Sequence, residues 1–141
     1  MEKRFLSTLT FDNYLVTELS YKQNSNFSFE NDLDVSFDAN AKIQLSDSDA
    51  SVTLKVICGD ENNIDCPFVL NVEVMGIFKV EGNIKDFKEL VTTNTLAILF
   101  PYVRSLVSDL SSRSNVYPQY RLPLLNIVEF IKSKNNKIQV K

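Results

Sequence analysis

The chain has 141 residues, of which 44% are hydrophobic and 23% are charged, values typical of one globular domain. Its formal net charge of −3 argues against nucleic acid as the main partner, because phosphate binding needs a basic surface. It has no histidine, the usual general base near neutral pH, and its three glycines cannot form a phosphate-binding loop. These features predict a single non-enzymatic domain with no catalytic residues, metal site or cofactor.

The N-terminal residues and the cysteines indicate the compartment. A mixed polar stretch follows Arg4, where a secretory signal would place an apolar segment. No run approaches about 18 apolar residues, so we expect no direct membrane insertion. Cys58 and Cys66 lack the spacing of a zinc motif and are expected to be reduced structural thiols on facing arms of one hairpin. The sequence therefore predicts a cytoplasmic protein.

Four segments in the first half of the chain alternate between apolar and polar residues, as half-buried β-strands do. They are residues 14–22, 32–39, 51–58 and 66–80, and an Asn- and Ser-rich loop spans residues 23–31. The residues expected to share a face within each strand are Leu15, Thr17, Leu19 and Tyr21; Leu33, Val35, Phe37 and Ala39; Val52, Leu54 and Val56; and Phe68, Leu70, Val72 and Val74. We expect an antiparallel meander in chain order. Residues 5–12 either extend the first strand or form an arm, and Gly76 favours a bulge or a bend.

The charges are unevenly distributed along these strands. Residues 18–65 carry ten acidic side chains against three lysines, whereas the C-terminus carries lysines at 132, 134, 137 and 141. Acids on the outer face of a sheet often only keep it soluble. The alternative is a docking face for a basic partner. The candidate residues for such a face are Asp32, Asp34, Asp38 and Glu73.

The apolar period changes to three and four after Gly82, which predicts an amphipathic helix over about residues 95–114. Its apolar stripe comprises Leu96, Ala97, Leu99, Phe100, Val103, Leu106, Val107 and Leu110. Asn94 or Thr95 is expected to cap the helix, and Pro101 to kink it or to delay its regular part until near Ile98. An extended crossover at 116–123, a shorter helix at about 124–134 and a disordered tail at 135–141 follow. The predicted fold is α+β, a four-stranded antiparallel sheet with two helices packed on one face.

The crossover is the most distinctive binding feature. Residues 116–125 contain two tyrosines, three leucines and two prolines. Such a segment either lines an apolar groove beside the sheet or merely covers the core. A groove that binds unfolded chains needs exposed apolar area and few directional polar groups, because its clients share no sequence.

Several motifs, taken in order, resemble the SecB family of export chaperones. They are MGIFKVEG at 75–82, ILFPYVR at 98–104, VSDLSSR at 107–113, YPQYRLP at 117–123 and then Asn126. The resemblance covers roughly residues 66–130. The N-terminal strands agree with the family only in pattern and length.

This resemblance implies a homo-oligomer, a dimer of dimers, whose grooves hold unfolded precursor proteins for delivery to the SecA motor. It implies packing in the core and between subunits for Leu70, Val72, Val74, Leu99, Phe100 and Val103. It implies a client-binding groove formed by Ile77, Phe78, Tyr117, Tyr120, Leu122 and Leu125. The long helix and the strand edges would form the contacts between subunits.

Two departures from the family pattern leave SecA binding open. Asn71 stands where SecB carries an outer-face glutamate for SecA, with Glu73 two residues further on, and lysines replace the acidic tail. The expected function is a holdase that binds unfolded preproteins or other non-native polypeptides for export. The alternatives are a SecB-like chaperone dedicated to one partner, such as the antitoxin of a toxin–antitoxin pair, or an oligomeric adaptor without general holdase activity.

Overall fold

The computed structural model describes residues 9–27, 35–81, 88–134 and 138–140. It contains four long strands, β1 (Leu9–Gln23), β2 (Phe37–Leu45), β3 (Asp49–Cys58) and β4 (Phe68–Val80). Two helices follow, α1 (Lys88–Ser112) and α2 (Ile127–Ser133), and then a two-residue strand, β5 (Gln139–Val140). The predicted class, an antiparallel four-stranded sheet with two helices on one face, is confirmed.

The order of the strands differs from the predicted meander. The sheet runs β1-β4-β3-β2-β5, so the meander holds for β2, β3 and β4 and is wrong for β1, which pairs antiparallel with β4. Alternation along a strand shows which face is buried but not which strand lies beside it. Pairing the two longest strands satisfies the most backbone groups, and it makes β1 one edge of the sheet.

The faces of the central strands are as predicted. Val52, Leu54 and Val56 of β3 are buried. Phe68, Leu70, Val72 and Val74 of β4 are also buried, and they alternate with half-buried Val69, Asn71 and Glu73 on the outer face. The inner faces of β3 and β4 therefore form the floor of one continuous core under α1.

The predicted face of β1 is wrong because the strand contains two irregularities. The register shifts between Phe11 and Asn13 and again between Val16 and Glu18. Directly opposed residues share a face. Leu19 and Tyr21 therefore lie on the inner face, opposite Val72 and Leu70, whereas Leu15 lies on the outer face, opposite Met75. A bulge adds one unpaired residue and so reverses the alternation of everything beyond it.

The boundaries of β1 and β2 also differ from the prediction. Residues 9–12 belong to β1, so this part of the N-terminal segment extends the first strand and does not form a separate arm. β2 begins at Phe37 and continues to Leu45, because Ala41, Ile43 and Leu45 extend the inward alternation beyond Ala39. The predicted start at residue 32, with Leu33, Asp32 and Asp34, lies outside the described residues.

Gly76 has a packing role and does not mark a bulge. It pairs in regular register with Tyr14 and Val52, and the irregularities lie in β1. A Cβ at Gly76 would lie 2.7 Å from a methyl carbon of Leu99 and 2.8 Å from the ring of Phe78, both fully buried. The glycine therefore allows α1 to approach the sheet closely.

Helix α1 begins earlier than predicted, at Lys88, and continues through Pro101. Asn94 and Thr95 lie inside it, so neither caps it. Thr95 is buried and donates its hydroxyl hydrogen to the Val91 carbonyl at 2.7 Å. Pro101 removes the donor for the Ala97 carbonyl, but both residues are exposed, so water can hydrate that carbonyl. The helix ends at Ser112, the N–H groups of Arg113 and Ser114 bond the carbonyls three residues earlier, and Asn115 then turns the chain with a left-handed φ of 60.

By length and composition alone, α1 is apolar enough to cross a membrane. Eight of its residues are buried, which is the pattern of a core helix of a folded domain. They are Val91, Thr95, Leu96, Leu99, Phe100, Val103, Val107 and Ser111.

Helix α2 is short and has a defined start. The Asn126 side chain accepts a hydrogen bond from the Glu129 backbone N–H, as an N-cap does. Ile127, Val128 and Ile131 are buried and pack the helix on the core. The tail was predicted to be disordered, but its residues 139 and 140 form β5, which pairs in parallel with β2. The sequence pattern hid this strand because two residues are too few to show alternation.

Candidate peptide-binding groove

The crossover between α1 and α2 is held to α1 and to the turn after it by hydrogen bonds to the backbone of the crossover. These bonds therefore do not depend on the side chains of the crossover. The Ser111 hydroxyl accepts a bond from the Tyr120 N–H at 2.8 Å, and the Ser114 hydroxyl accepts one from the Tyr117 N–H at 3.1 Å. Further along, the Arg104 Nε donates to the Leu122 carbonyl at 3.1 Å. These bonds orient the two tyrosines toward the end of the sheet.

Among the described residues, five aromatic side chains from four parts of the chain meet there, and we call them the crossover cluster. Tyr21 and Phe68 have ring centroids 5.6 Å apart, and Phe68 lies 6.5 Å from Tyr117 and 6.4 Å from Tyr120. Phe27 meets Tyr117 edge-on at 5.6 Å. Such distances are those of favourable aromatic pairs. The cluster therefore combines β1, the loop after it, the start of β4 and the crossover.

A cavity of about 360 Å³ opens beside this cluster. Gln23, Asn24, Ser25, Phe27 and Tyr117 line it. Asn24 is buried and fully engaged, since its amide donates to the carbonyls of Asn63 and Cys66 and its oxygen accepts from the Asn26 N–H. The walls are therefore rigid on the Asn24 side and aromatic on the other.

Burial keeps two tyrosines of the cluster, Tyr21 and Tyr120, and the nearby Cys58 thiol neutral at physiological pH. Burial raises the pKa of Tyr120 to about 12, with smaller contributions from Cys58 and Cys66. Burial also raises the pKa of the Cys58 thiol to about 12, and that of Tyr21 in the same direction. Both cysteines are free and buried. A neutral aromatic surface attracts apolar side chains and has little preference for charge.

The structure brings together only some of the residues predicted for the groove. Tyr117 and Tyr120 are half-buried neighbours in the crossover cluster, whereas Leu122 is buried in the core. Phe78 is also buried, on the inner face of β4, under the Phe11 ring at 5.1 Å. Ile77 lies on the outer face, opposite Ser51.

Leu125 lies at a second cavity, between α1 and the start of α2. This cavity also has a volume of about 360 Å³. Ala97, Phe100, Pro101 and the 83% exposed Leu124 line it together with Leu125. It is separate from the crossover cluster.

Three members of the cluster were not predicted as site residues. Phe27 belongs to the Asn- and Ser-rich segment 23–31, where the two phenylalanines, Phe27 and Phe29, are the sequence signal that could have identified it. Phe68 and Tyr21 were assigned only to strand faces. Their proximity to Tyr117 depends on β1 lying beside β4, which alternation could not show.

The residues predicted for core and subunit packing are all buried within one chain. Leu70, Val72, Val74, Leu99 and Val103 have no exposed surface, and Phe100 is 5% exposed. Within the described residues, the large apolar side chains exposed on β1 are instead Leu15, Val16 and Leu19 at 45%, 43% and 49%.

The outer face of the sheet carries paired polar groups. Glu73 accepts a hydrogen bond from the Thr17 hydroxyl at 2.8 Å, and Glu18 forms an ion pair with Lys55 at 3.1 Å. Asn71 donates to the Ser20 hydroxyl at 3.1 Å. Asp38 belongs to the same face, two strands from Glu73.

Comparison with known proteins places this fold and its crossover in a family. Residues 2–137 match the family model described as preprotein translocase subunit SecB. An uncharacterized protein of Methanocaldococcus jannaschii is 30% identical over an alignment of 142 positions, which covers 93% of this chain and 91% of that protein. The protein-export protein SecB of Psychrobacter cryohalolentis is 27% identical over 110 residues, or 77% and 72% of the two chains.

Two solved structures share the fold. The Mycobacterium tuberculosis SecB-like chaperone Rv1957, solved in complex with a ChAD peptide from the HigA1 antitoxin, matches with a TM-score of 0.69, 14% identity and coverage of 84% of this chain and 91% of that one. A Streptococcus agalactiae protein of unknown function matches with a TM-score of 0.53 and 15% identity, over 82% and 97% of the two chains. Because the family model extends over nearly the whole sequence, the chain belongs to the SecB family.

Proposed function

We propose that this protein is a non-enzymatic holdase that binds unfolded preproteins or other non-native polypeptides for export. Family membership supports a chaperone role. The observation that carries the proposal is the crossover cluster, a neutral aromatic surface beside an open cavity of about 360 Å³. Tyr117 and Tyr120 supply its accessible aromatic area, and the polar side chain of Asn24 in the cavity wall is already hydrogen-bonded within the chain. A client therefore gains affinity from apolar contact without needing a particular sequence.

The first test is the refolding of a slow-folding, chemically denatured protein with and without this chain. A holdase delays refolding or suppresses aggregation at near-stoichiometric amounts, because it removes the unfolded client from the reaction. A folded protein of similar size and charge is the control for crowding. Refolding at an unchanged rate and yield would contradict general holdase activity.

A second candidate is a chaperone dedicated to one partner, such as an antitoxin. The observation that favours it is the structural match to Rv1957, whose structure contains an antitoxin peptide. Client breadth distinguishes the two functions. A general holdase delays the refolding of several unrelated proteins with similar potency, whereas a dedicated chaperone acts on one and leaves the others unaffected.

SecA is proposed as a partner only for the export function. The candidate docking residues remain Asp32, Asp34, Asp38 and Glu73. Of these, Glu73 is already engaged by the Thr17 hydroxyl. Binding to immobilised SecA, with Glu73→Gln as the variant, tests this partner. Undiminished binding by the variant would remove Glu73 from the docking face.

We also propose that the protein is cytoplasmic and assembles as a dimer of dimers. The exposed Leu15, Val16 and Leu19 lie on β1, an edge strand, and such an edge is stabilised by pairing with a second copy. The exposed side of α1 supplies the second contact. Light scattering should give a mass near four times 16.1 kDa. A monomer at micromolar concentration would rule out this assembly and, with it, the remaining alternative, an oligomeric adaptor without general holdase activity.

A further inference from the structure

The β2 edge of the sheet carries the chain's own C-terminal strand. β5 pairs in parallel with β2, with Gln139 opposite Lys42 and Val140 opposite Ile43. Ile138 and Val140 are half-buried and pack against the core. The match to the SecB family model ends at residue 137, and β5 follows it.

The edge of a strand binds extended peptides through backbone groups. Its N–H and C=O groups pair with any extended chain, and the side chains at alternate positions add a preference for apolar residues. β5 supplies such a pattern, with β-branched Ile138 and Val140 two residues apart on one face. The tail therefore has the chemistry of a peptide ligand.

The described part of the tail covers little of the edge. β2 has nine residues, and residues 138–140 of the tail pair with two of them. Because each main-chain hydrogen bond adds little net stability, a longer extended segment that pairs along more of β2 binds more strongly than β5 does.

The β2 edge is continuous with the crossover cluster. The Tyr120 hydroxyl donates to the Val35 carbonyl at 3.5 Å, two residues before β2. Phe37, the first residue of β2, stacks on Phe130 of α2 at 4.7 Å. A polypeptide held at the cluster is therefore already near the strand edge.

We propose that residues 138–140 are a built-in competitor for a strand-acceptor site on the β2 edge. The ligand that displaces them is an extended segment of a non-native polypeptide with β-branched or aromatic residues at alternate positions. The inference rests on the proposed holdase function and adds regulation to it. At any time the tail occupies the β2 edge in some of the molecules. The apparent affinity for a client is then the intrinsic affinity multiplied by the fraction of molecules whose edge is open.

The experiment measures fluorescence anisotropy of a labelled eight-residue peptide with valine at alternate positions and lysine at both ends. Deletion of residues 138–141 should tighten its binding roughly three- to tenfold, since the competitor is removed. Lys141→Ala, one residue beyond β5, is the matched control and should bind like the natural chain. A peptide of the same length with proline at alternate positions should bind weakly to all variants, because proline cannot donate to a strand ladder.

A second variant changes affinity in the opposite direction. Lys42→Cys with Gln139→Cys places two thiols at opposed positions of β2 and β5. Once oxidised, this variant should bind the peptide at least threefold more weakly than its reduced form, because the tail can no longer leave.

The outcomes separate the two proposals. If the peptide binds the natural chain and neither the deletion nor the oxidised pair changes its affinity, the tail is not a competitor, and the holdase function stands. If the oxidised thiols join two chains instead of one, as a non-reducing gel would show, the built-in competitor is overturned. If no variant binds the peptide and refolding assays show no delay, the holdase function itself fails.

Discussion

The core under α1 and the crossover cluster are both rich in large apolar side chains, yet they are built in opposite ways. Under α1, Leu99 approaches Gly76 so closely that a single added methyl group would overlap it. At the crossover cluster, Phe27 and Tyr117 remain half-exposed beside an open cavity. Close packing stabilises the first region, whereas exposed aromatic area leaves the second free to bind. Mutations should therefore separate stability from client binding.

The largest effect is expected from Leu99→Ala. Leu99 is fully buried, so removing its side chain loses apolar contacts and leaves a cavity, which costs about 3 kcal/mol of the free energy of unfolding. Chemical denaturation measures this loss. The fraction that remains folded should bind clients as tightly as the natural chain does. A large loss of affinity per folded molecule would show that the core and the binding surface are not separate.

Alkaline pH should destabilise the protein through the Cys58 thiol and the phenol of Tyr120. Cys58 and Tyr120 each have a folded-state pKa of about 12, above the ordinary values of 9.0 and 10.0. Between pH 9 and 12 the unfolded chain therefore releases protons that the folded chain retains. The free energy of unfolding is therefore highest below pH 9 and falls as the pH rises toward 12. It falls by about 1.4 kcal/mol per pH unit for each of these groups while that group is ionised only in the unfolded state.

Thermal unfolding at several pH values measures this dependence. Cys58→Ala removes one of the two groups and should reduce the slope between pH 9 and 10, where the unfolded thiol titrates first. The natural chain should show little change from this source between pH 6 and 8. An identical slope in the variant would mean that Cys58 is not responsible.

These two regions also differ in how well the sequence predicts them. Val52, Val72 and Leu99 were assigned correctly because burial within one strand or helix leaves a local period of two or of three and four. Strand order, the bulge near Thr17 and β5 left no such period. They depend on pairings between segments that are distant in sequence.

The same limit explains the partial prediction of the site. Tyr117 and Tyr120 could be found because an apolar, proline-bounded crossover is a local feature. Phe27 and Phe68 join them only because β1 returns beside β4 and carries the following loop to the crossover. The prediction grouped Ile77 and Phe78 with the tyrosines only because of the resemblance to the family. The two residues are neighbours in β4, so alternation places them on opposite faces of the sheet.

A smaller effect, on affinity and not on stability, is expected from Tyr117→Ser. The ring is half-exposed and contributes contact area to the cluster, so its loss should weaken client binding roughly tenfold, about 1.4 kcal/mol. The free energy of unfolding should change by less than about 1 kcal/mol. Tyr117→Phe keeps the ring and is the matched control. A collapse of thermal stability in Tyr117→Ser would show that this tyrosine belongs to the core.

The smallest effect is expected from Gln23→Ala, which distinguishes apolar from polar recognition at the same cavity. The Gln23 amide donates to the Tyr117 hydroxyl at 3.4 Å between exposed side chains, a long bond that water can replace. If Phe27 and Phe68 hold the Tyr117 ring in place, affinity for the unfolded client used to test Tyr117→Ser should change less than twofold. A loss comparable to that of Tyr117→Ser would mean that the hydroxyl and its partner recognise the client backbone, and the cluster would then select by hydrogen bonding more than by apolar area.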